Sequence, residues 1–554
     1  MKKKVLIFSA LISLGLLTSC GEKFLETTPL GVRSEETLTN KTGVTAILIG
    51  AYSMLDGIGA GPTNYAAVSN WVYGSVASDD AYKGSDVGDN AQITTIERYI
   101  NQADIVYFND KWVALYDGIA RSNDVIRLVP KVTDMTDAEK AQAIGEARFL
   151  RAWYHFEAKK IWNMVPYVDE KVTDYINLPN DKDIWPSIEA DFQFAIDNIS
   201  ATKSQVGRAS KWSAKAYLAK AHMYQQDRAA AKPLLDDVIN NGPFSLVNNF
   251  HENFRITTEN NAESVFEVQM SVGDGGNDLN GSWGDSNNFP YGAAPGGCCG
   301  FFQPSQNLVN AFKTDASGLP LLDTFNDVDV KNDEGLSSTQ PFTPYDGTLD
   351  PRLDWTVGRR GLPFLNWGTH PGRNWIRDQS FGGPYTFKKF FAYSGENAGA
   401  VSPRANANNY RALRFADVLL MRAEVAVEES DLPKALTLVN QIRTRAGNVT
   451  VLDATGKPAA NYLVKPYPAF ASQDMARKAV RFERRIELAM EGHRHFDLVR
   501  WGVADVVLNT YLAKESLKRT YMTGATFVKG KNEYFPIPQA QIDIMGSAVL
   551  KQNY

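Results

Sequence analysis

Cys20 is the residue whose surroundings point most directly to a specific chemistry. It follows the basic run Lys2–Lys4, the apolar run Val5–Leu17 and the small residues Thr18-Ser19. This order is typical of a secretory signal that is cut just before the cysteine. Bacterial lipoprotein processing requires a cysteine at the first mature position, so we expect residues 1–19 to be removed and Cys20 to carry a lipid. An ordinary signal peptide with a chance cysteine, or a structural thiol, is the alternative.

The apolar run is too short to span a bilayer, which needs about 20 residues. No later run in the sequence approaches that length. We therefore expect residues 20–34 to act as lipid anchor and tether, with the remaining chain folded outside the cytoplasm at a membrane surface.

Cys298 and Cys299 are the only other cysteines. Adjacent cysteines can form a vicinal disulfide, which an exported location permits, and such a ring would present a rigid apolar surface. Two reduced small residues in a tight turn are the alternative. No neighbouring His or basic group obviously lowers a thiol pKa, which argues against a catalytic cysteine.

Two groups of residues have types that suggest metal binding. His493 and His495 lie two apart on a predicted helix and point to different sides, and the acidic and basic residues around them indicate a structural ion-pair network. Four aspartates suggest calcium: Asp323, Asp327, Asp329 and Asp333. Their loop lacks the glycine and glutamate of an EF-hand. We expect a solvated acidic loop and no cofactor or metal, with structural calcium of another kind as the alternative.

The sequence offers little support for an enzyme or a nucleic-acid binder. It contains no Gly-x-Ser-x-Gly elbow, His-Glu-x-x-His pair or Walker loop. A glycoside hydrolase needs two facing carboxylates, whereas the adjacent Asp79 and Asp80 would point apart in an extended chain. The net charge of −5, with no basic run after Lys4, argues against nucleic acid. We therefore predict a non-enzymatic protein.

The chain divides into two helical regions, residues 35–241 and 411–554, around a loop-rich middle, residues 242–410. Gly273–Gly300 holds nine glycines, too many for regular helix, but its interleaved aromatics are unusual for a disordered segment. We predict that this middle region is an irregular lobe that holds a ligand site.

The two helical regions contain similar helix pairs. Lys220-Ala221 precedes Leu234 by the same spacing as Arg422-Ala423 precedes Leu436. Tetratricopeptide repeats are helix pairs of about 34 residues, with small side chains where the two helices meet. We predict a mostly α fold, with tetratricopeptide-like helix pairs that form a superhelical scaffold.

Several stretches together form a recognisable set. They are Arg414–Glu424, Val439–Gly447, Glu483–Gly502, Tyr534–Pro538 and Gln552–Tyr554, with Cys20, Phe24–Glu26, Pro29, Ser78–Ala81 and Asp350–Leu353 upstream. This set resembles the SusD/RagB family of Bacteroidetes outer-membrane nutrient-uptake lipoproteins, and the resemblance covers nearly the whole mature chain.

The resemblance implies a lipid-anchored, surface-exposed protein of the outer membrane. Family members capture oligosaccharide or polysaccharide and act as a lid that delivers it to a SusC-like, TonB-dependent transporter. Peptide or other nutrient cargo, or a pure scaffold role at the transporter, are the alternatives. A surface glycoside hydrolase is a weaker one.

Sugar-binding sites pair aromatic platforms, which cover C–H faces, with polar side chains that bind hydroxyls. Loops are where a scaffold presents such groups. Guided by the resemblance, we select three clusters: Trp71, Tyr73, Asp79 and Tyr82; Trp283, Phe289 and Tyr291; and Trp367, Trp375 and Arg377. For each aromatic residue, ordinary core packing is the alternative.

The lipid at Cys20 would keep the protein and its transporter at high effective concentration. We expect Cys20→Ala to lower cargo uptake by cells without changing the affinity for cargo measured in solution. Unchanged uptake by cells that carry the unanchored variant would contradict a tethering role.

Overall fold

The computed structural model describes residues 35–58 and 65–553. The expected signal segment, Cys20 and the tether at 20–34 lie outside the described residues. Within the described ranges, no helix has both the length and the apolar character that a membrane crossing requires.

The N-terminal half of the described chain is a run of helices that pack on one another in sequence order. These are α1 (Glu35–Leu38), α2 (Lys41–Ser53), α3 (Ala91–Glu97), α4 (Val106–Leu128), α5 (Asp137–Trp162), α6 (Trp185–Asn198), α7 (Lys211–Tyr224) and α8 (Arg228–Asn241). From α4 to α8 each helix contacts the next. Such layering of successive helices is how repeat scaffolds bury a continuous core.

The middle of the chain has only short elements, and helices return near its end. The later helices are α9 (Gln306–Ala311), α10 (Arg352–Thr356), α11 (Gln379–Gly382), α12 (Phe415–Glu428), α13 (Leu432–Gly447), α14 (Gln473–Glu487), α15 (Arg494–Arg500), α16 (Ala504–Glu515) and α17 (Gln539–Met545). Helix α12 packs against α13, α14 and α8, so the second helix pair continues the layer of the first.

The described chain has three antiparallel two-stranded sheets, two of which tie the middle region to this scaffold. The strands are β1 (Ala81–Gly84), β2 (Ser264–Val268), β3 (Phe301–Pro304), β4 (Val357–Gly358), β5 (Thr386–Phe387) and β6 (Tyr410–Arg414). They pair as β1–β3, β2–β6 and β4–β5. Because each sheet joins distant parts of the sequence, the irregular segments are held at both ends.

The second helices of the two pairs begin in the same way. Asp227 accepts a hydrogen bond from the backbone N–H of Ala230 at the start of α8. Asp431 does the same for Lys434 at the start of α13. An aspartate at this position satisfies a backbone donor that the helix itself leaves unpaired.

The equivalent cations of the two pairs also connect them. Lys220 on α7 lies 3.1 Å from Asp417 on α12, and Arg422 on α12 lies 2.8 Å from Asp236 on α8. The positions that revealed the repeat in the sequence therefore join the two repeats in space. The predicted mostly α fold with tetratricopeptide-like helix pairs is confirmed.

A buried group of charges lies where the helices, the β2–β6 sheet and the middle region meet. We call it the central ion cluster; its members are Glu263, Asp350, Arg352, Lys389, Arg414, Arg443, Arg445, Glu483, Glu487 and Glu491. These five cations and five carboxylates have side chains at most 4% exposed. The positive and negative charges are equal in number. Such pairing is required because the attraction between opposite charges has to offset the free-energy cost of removing them from water.

Glu487 is the most connected carboxylate of this cluster. It pairs with Arg352 at 2.8 Å, with Arg414 at 3.0 Å, and with Arg445. Burial alone would raise its pKa, but Arg445, Arg414 and Arg352 outweigh burial and lower the pKa below its ordinary value. The carboxylate therefore stays ionised and holds three elements together.

Replacing Glu487 with alanine leaves three buried guanidinium groups short of one negative charge. We expect Glu487→Ala to lower the free energy of unfolding by about 3–5 kcal/mol, measured by urea denaturation at pH 7. Because the folded-state pKa of Glu487 is lowered, its contribution to stability is fully present above the ordinary glutamate pKa of 4.5 and is lost as the pH falls below that value.

The exposed ion pair Lys232–Glu429 provides the control. We expect Glu429→Ala to cost less than about 1 kcal/mol, as solvent-exposed pairs generally do. Equal losses in the two variants would show that the central ion cluster has no special role in stability.

Candidate ligand-binding lobe

The first predicted cluster lies inside the protein. Trp71, Tyr73 and Tyr82 are 1%, 2% and 0% exposed. The indole N–H of Trp71 donates to Gly284 O at 3.1 Å, and the hydroxyl of Tyr73 donates to Tyr107 O at 2.7 Å. The expectation that these rings form a ligand platform is not met, because their faces pack against protein.

Asp79 is likewise buried and serves as an ion-pair partner. Its carboxylate lies 2.7 Å from Arg494 and 3.1 Å from Arg485. Burial raises its pKa, but the two arginines outweigh burial and lower the pKa to about 2. Its expected ligand contact is not met either, since both oxygens are engaged with cations.

The other two predicted clusters come together in one place. We call it the loop lobe and define it as residues 271–300, 363–378 and 389–406. The N–H of Tyr291 donates to Trp375 O at 2.9 Å, and the N–H of Ser282 donates to Asn406 O at 2.9 Å. Residues more than eighty positions apart in the sequence thus meet in a single surface.

Four aromatic rings form a supporting layer inside the loop lobe. Phe289, Phe364, Trp375 and Phe391 are 8%, 0%, 8% and 5% exposed. Phe391 lies 5.1 Å from both Phe289 and Phe364, and Phe364 lies 5.3 Å from Trp375, all near edge-to-face geometry. Phe289 and Trp375 therefore support the surface instead of presenting their faces to a ligand, which corrects the expectation for these two residues.

Trp367 is the predicted aromatic residue that the structure leaves most exposed, at 39%. Its indole N–H donates to Ala392 O at 2.9 Å. Its ring stands edge-on to Phe391, with centroids 6.2 Å apart. The ring is thus fixed in orientation while much of its surface remains free for contact.

Tyr291 and Arg377 form a second part of the surface. The guanidinium of Arg377 lies 5.3 Å from the Tyr291 ring centroid. It is also paired with Asp86 at 2.7 Å and Asp89 at 2.6 Å. Arg377 therefore orients the half-buried tyrosine ring, and its own charge is neutralised.

Trp283 is half-buried at the other side of the lobe. Its indole N–H donates to Asp278 O at 2.5 Å. The Asp278 carboxylate accepts from the N–H groups of Val401 and Ser402, at 2.6 and 2.9 Å. The position of Trp283 is therefore coupled to that of residues 401–406.

Cys298 and Cys299 are joined as a vicinal disulfide in the structure. Cys299 pairs through its backbone with Phe289, so the disulfide is held next to the segment that supplies one ring of the aromatic layer. Arg404 lies beside it, with Nη1 3.7 Å from Cys299 Sγ and 4.0 Å from Cys298 Sγ. Sequence reasoning missed Arg404, because a single arginine in a loop has no spacing pattern to mark it.

Beside the aromatic layer is a small cavity lined by both aromatic and polar side chains. Its volume is about 30 Å³, with Asp285, Asn288, Asn406 and Asn408 in its lining. Burial raises the pKa of Asp285, which accepts hydrogen bonds from Ser69, Ser282 and Asn288. Such a volume suits about one water molecule, so this cavity cannot hold a sugar ring.

The residues considered for metal binding have other partners. Within the described ranges, no three His, Cys, Asp or Glu side chains group as a metal site requires. The aspartates of the acidic loop pair individually with basic side chains: Asp323 with Lys478, Asp327 with Lys514, Asp329 with Lys518 and Asp333 with Arg360.

The residues around His493 and His495 form the predicted structural network. Arg484 pairs with Asp497 at 2.7 Å, and Asp497 pairs with Arg500 at 2.8 Å. Burial lowers the pKa of His495 to about 4, and its Nδ1 lies 2.9 Å from Ala77 O. The ion-pair network that the sequence predicted is confirmed.

Comparison with known proteins decides the family. The SusD family model matches residues 262–554, and a second model, described as "Starch-binding associating with outer membrane", matches residues 24–223. The chain belongs to the SusD family. The central ion cluster includes residues of the stretches that carried this resemblance in the sequence.

Similar proteins span nearly the whole chain. A SusD-like protein of Formosa agariphila is 26% identical over 551 residues, covering 95% of this chain and 94% of the relative. The "Starch-binding protein SusD" of Bacteroides thetaiotaomicron is 23% identical over 446 residues, covering 76% and 74%. A solved structure, "Surface glycan-binding protein A from Bacteroides thetaiotaomicron in complex with laminarihexaose", matches with TM-score 0.64 and 21% identity, covering 93% of this chain and all of that one. At this identity the structure shows a shared SusD fold.

The vicinal disulfide can be tested by mass spectrometry of the full chain. Without reduction, we expect the peptide that contains Cys298 and Cys299 to be two hydrogens lighter than the dithiol and to resist alkylation. After reduction, both thiols should react with iodoacetamide. A variant with Cys298→Ser and Cys299→Ser is the control and should show no mass change. Alkylation of both cysteines before reduction would contradict the disulfide.

Proposed function

We propose that the loop lobe captures oligosaccharide or polysaccharide at the outer-membrane surface and passes it to a TonB-dependent transporter. The observation that carries this proposal is the exposed ring of Trp367, fixed by Ala392 and supported by Phe391. A fixed aromatic face beside polar backbone and side chains suits the C–H faces and hydroxyls of a sugar.

The names of the relatives support carbohydrate as the cargo. One is called a starch-binding protein, and one solved structure contains laminarihexaose. The second family model's description adds association with the outer membrane. A lipid at Cys20 would supply that association, and it would also hold the protein close to a transporter in the same membrane.

The described lobe is suited to binding without chemistry. Asp278 accepts three backbone N–H bonds, from Gly273, Val401 and Ser402. Asp274 is held by Ser271, Asn280 and Gly276. A glycosidase needs a carboxylic acid and a second carboxylate free to act on the substrate. Carboxylates occupied in this way support a binding protein instead.

Binding at such a surface should be weak, micromolar to millimolar, or about −8 to −4 kcal/mol. Few rings are exposed, and the polar groups of a sugar lose water when they bind. Weak binding suits delivery, because cargo that is held tightly cannot move on to a pore.

Native affinity gels with a polysaccharide panel test this function. We expect at least one polymer to retard the full chain, and Trp367→Ala and Tyr291→Ala to weaken its affinity about fivefold or more, since an aromatic contact contributes roughly 1 kcal/mol. Chain length of the bound polymer should not change.

Trp212→Ala is the matched control, because Trp212 is a half-buried tryptophan on α7, outside the lobe. Thermal melting should show that all three variants are folded. Retardation that persists in both lobe variants would place the site elsewhere. No retardation by any polymer would overturn glycan capture and favour peptide cargo or a scaffold role.

A further inference from the structure

Two arginines of the loop lobe, the exposed Arg373 and the half-buried Arg404, have no carboxylate partner among the described residues. Arg255 pairs with Glu396, Arg360 with Asp333, and Arg377 with Asp86 and Asp89. The half-buried Arg404 guanidinium instead contacts the two sulfur atoms of the disulfide. Sulfur is a weak acceptor, and no carboxylate in residues 35–58 and 65–553 pairs with this guanidinium. Its charge is therefore uncompensated within the described structure.

The nearby acidic side chains are already occupied. Asp278 is held by three backbone N–H groups. Asp274 accepts from two side chains and one backbone N–H. Glu396 pairs with Arg255. Bringing one of them to Arg404 would break bonds that it makes now, so these carboxylates leave the guanidinium open to a negative group from outside the chain.

Arg404 also has a central position in the lobe. On one side, Asp278 links residues 401 and 402 to the indole of Trp283. On the other side, Arg404 contacts Cys299, whose backbone pairs with that of Phe289, and the Phe289 ring packs on Phe391. The guanidinium is thus connected through short links to the segments that carry Trp283 and Phe289.

We propose that Arg404 binds a negatively charged group, a sulfate ester or a carboxylate, on the captured glycan. The proposal rests on glycan capture by the loop lobe and specifies the class of glycan. A guanidinium offers two parallel N–H donors that match the paired oxygens of either group, and such charge-assisted bonds are stronger than neutral ones. The apolar disulfide lies beside the guanidinium and limits the access of water to the ion pair. Exclusion of water strengthens the attraction between the two charges.

Pairs of polymers that have the same sugar backbone but differ in charge distinguish recognition of charge from recognition of shape. Pectic homogalacturonan and its methyl-esterified form test the carboxylate, and a sulfated galactan and its desulfated form test the sulfate ester. These pairs are added to the neutral polymers of the panel. We expect the full chain to bind the charged member of at least one pair about tenfold or more tightly than the neutral member, with a preference that falls as salt is added.

Arg404→Gln should remove that preference, lowering affinity for the charged polymer about ten- to hundredfold and leaving neutral polymers unchanged. Arg404→Lys should retain part of the preference, because it keeps the charge but loses the fork of donors. Lys171→Gln, which removes one exposed positive charge outside the lobe, is the control for net charge and should have no effect.

The outcomes separate this inference from the function on which it rests. Binding of neutral polymers with no preference for a charged member would overturn the role of Arg404 and leave glycan capture intact. Equal losses in Arg404→Gln and Lys171→Gln would overturn it as well, since the attraction would then be general. No binding to any polymer would overturn both.

Discussion

The balance of charge in the central ion cluster is the constraint on which the rest of this structure depends. Its ten charged side chains are almost wholly removed from water, and an unpaired charge in such a place would cost several kcal/mol. Each charged side chain of the cluster therefore has to be paired when it is buried during folding. Since the partners come from β6, α10, α13, α14 and the lobe, the cluster can form only when all of these elements are correctly placed.

The loop lobe depends on this cluster at its base. Lys389, at the start of one lobe segment, lies 2.6 Å from Glu491 and donates to the carbonyls of Glu487 and Ala489. Tyr410, just after the end of that segment, donates its hydroxyl to Glu491 O at 3.0 Å. The lobe segment 389–406, which has little regular structure, is thereby fixed at both ends.

This division explains why the residues that identify the family differ from those proposed to bind cargo. Arg352 and Arg414 are buried and both pair with Glu487, and the buried Asp79 pairs with Arg494. They maintain the fold in any member that has them. The choice of ligand falls to exposed or incompletely paired groups in the lobe, where Trp367 offers a face and Arg404 a charge.

The sequence by itself determined the helical scaffold, the repeat and the structural role of the ion-pair residues, because these depend on local spacing. Asp227 and Asp431 cap equivalent helices through contacts within their own first turn, which do not depend on the rest of the fold. A charged residue in an apolar helical stripe is buried with that stripe and therefore requires a partner. The mostly α class, the glycine-rich lobe and the family all followed from such local patterns.

Only the tertiary structure decided which aromatic residues face outward and which arginines of the described lobe have no carboxylate partner. Trp71 and Trp367 both lie in segments without helical or strand periodicity, so nothing local distinguishes them. Trp71 is buried by Gly284, Phe301 and Phe302, more than two hundred residues away. Arg404 is identified only after every nearby carboxylate has been placed, because an uncompensated charge is a property of the whole arrangement of neighbours.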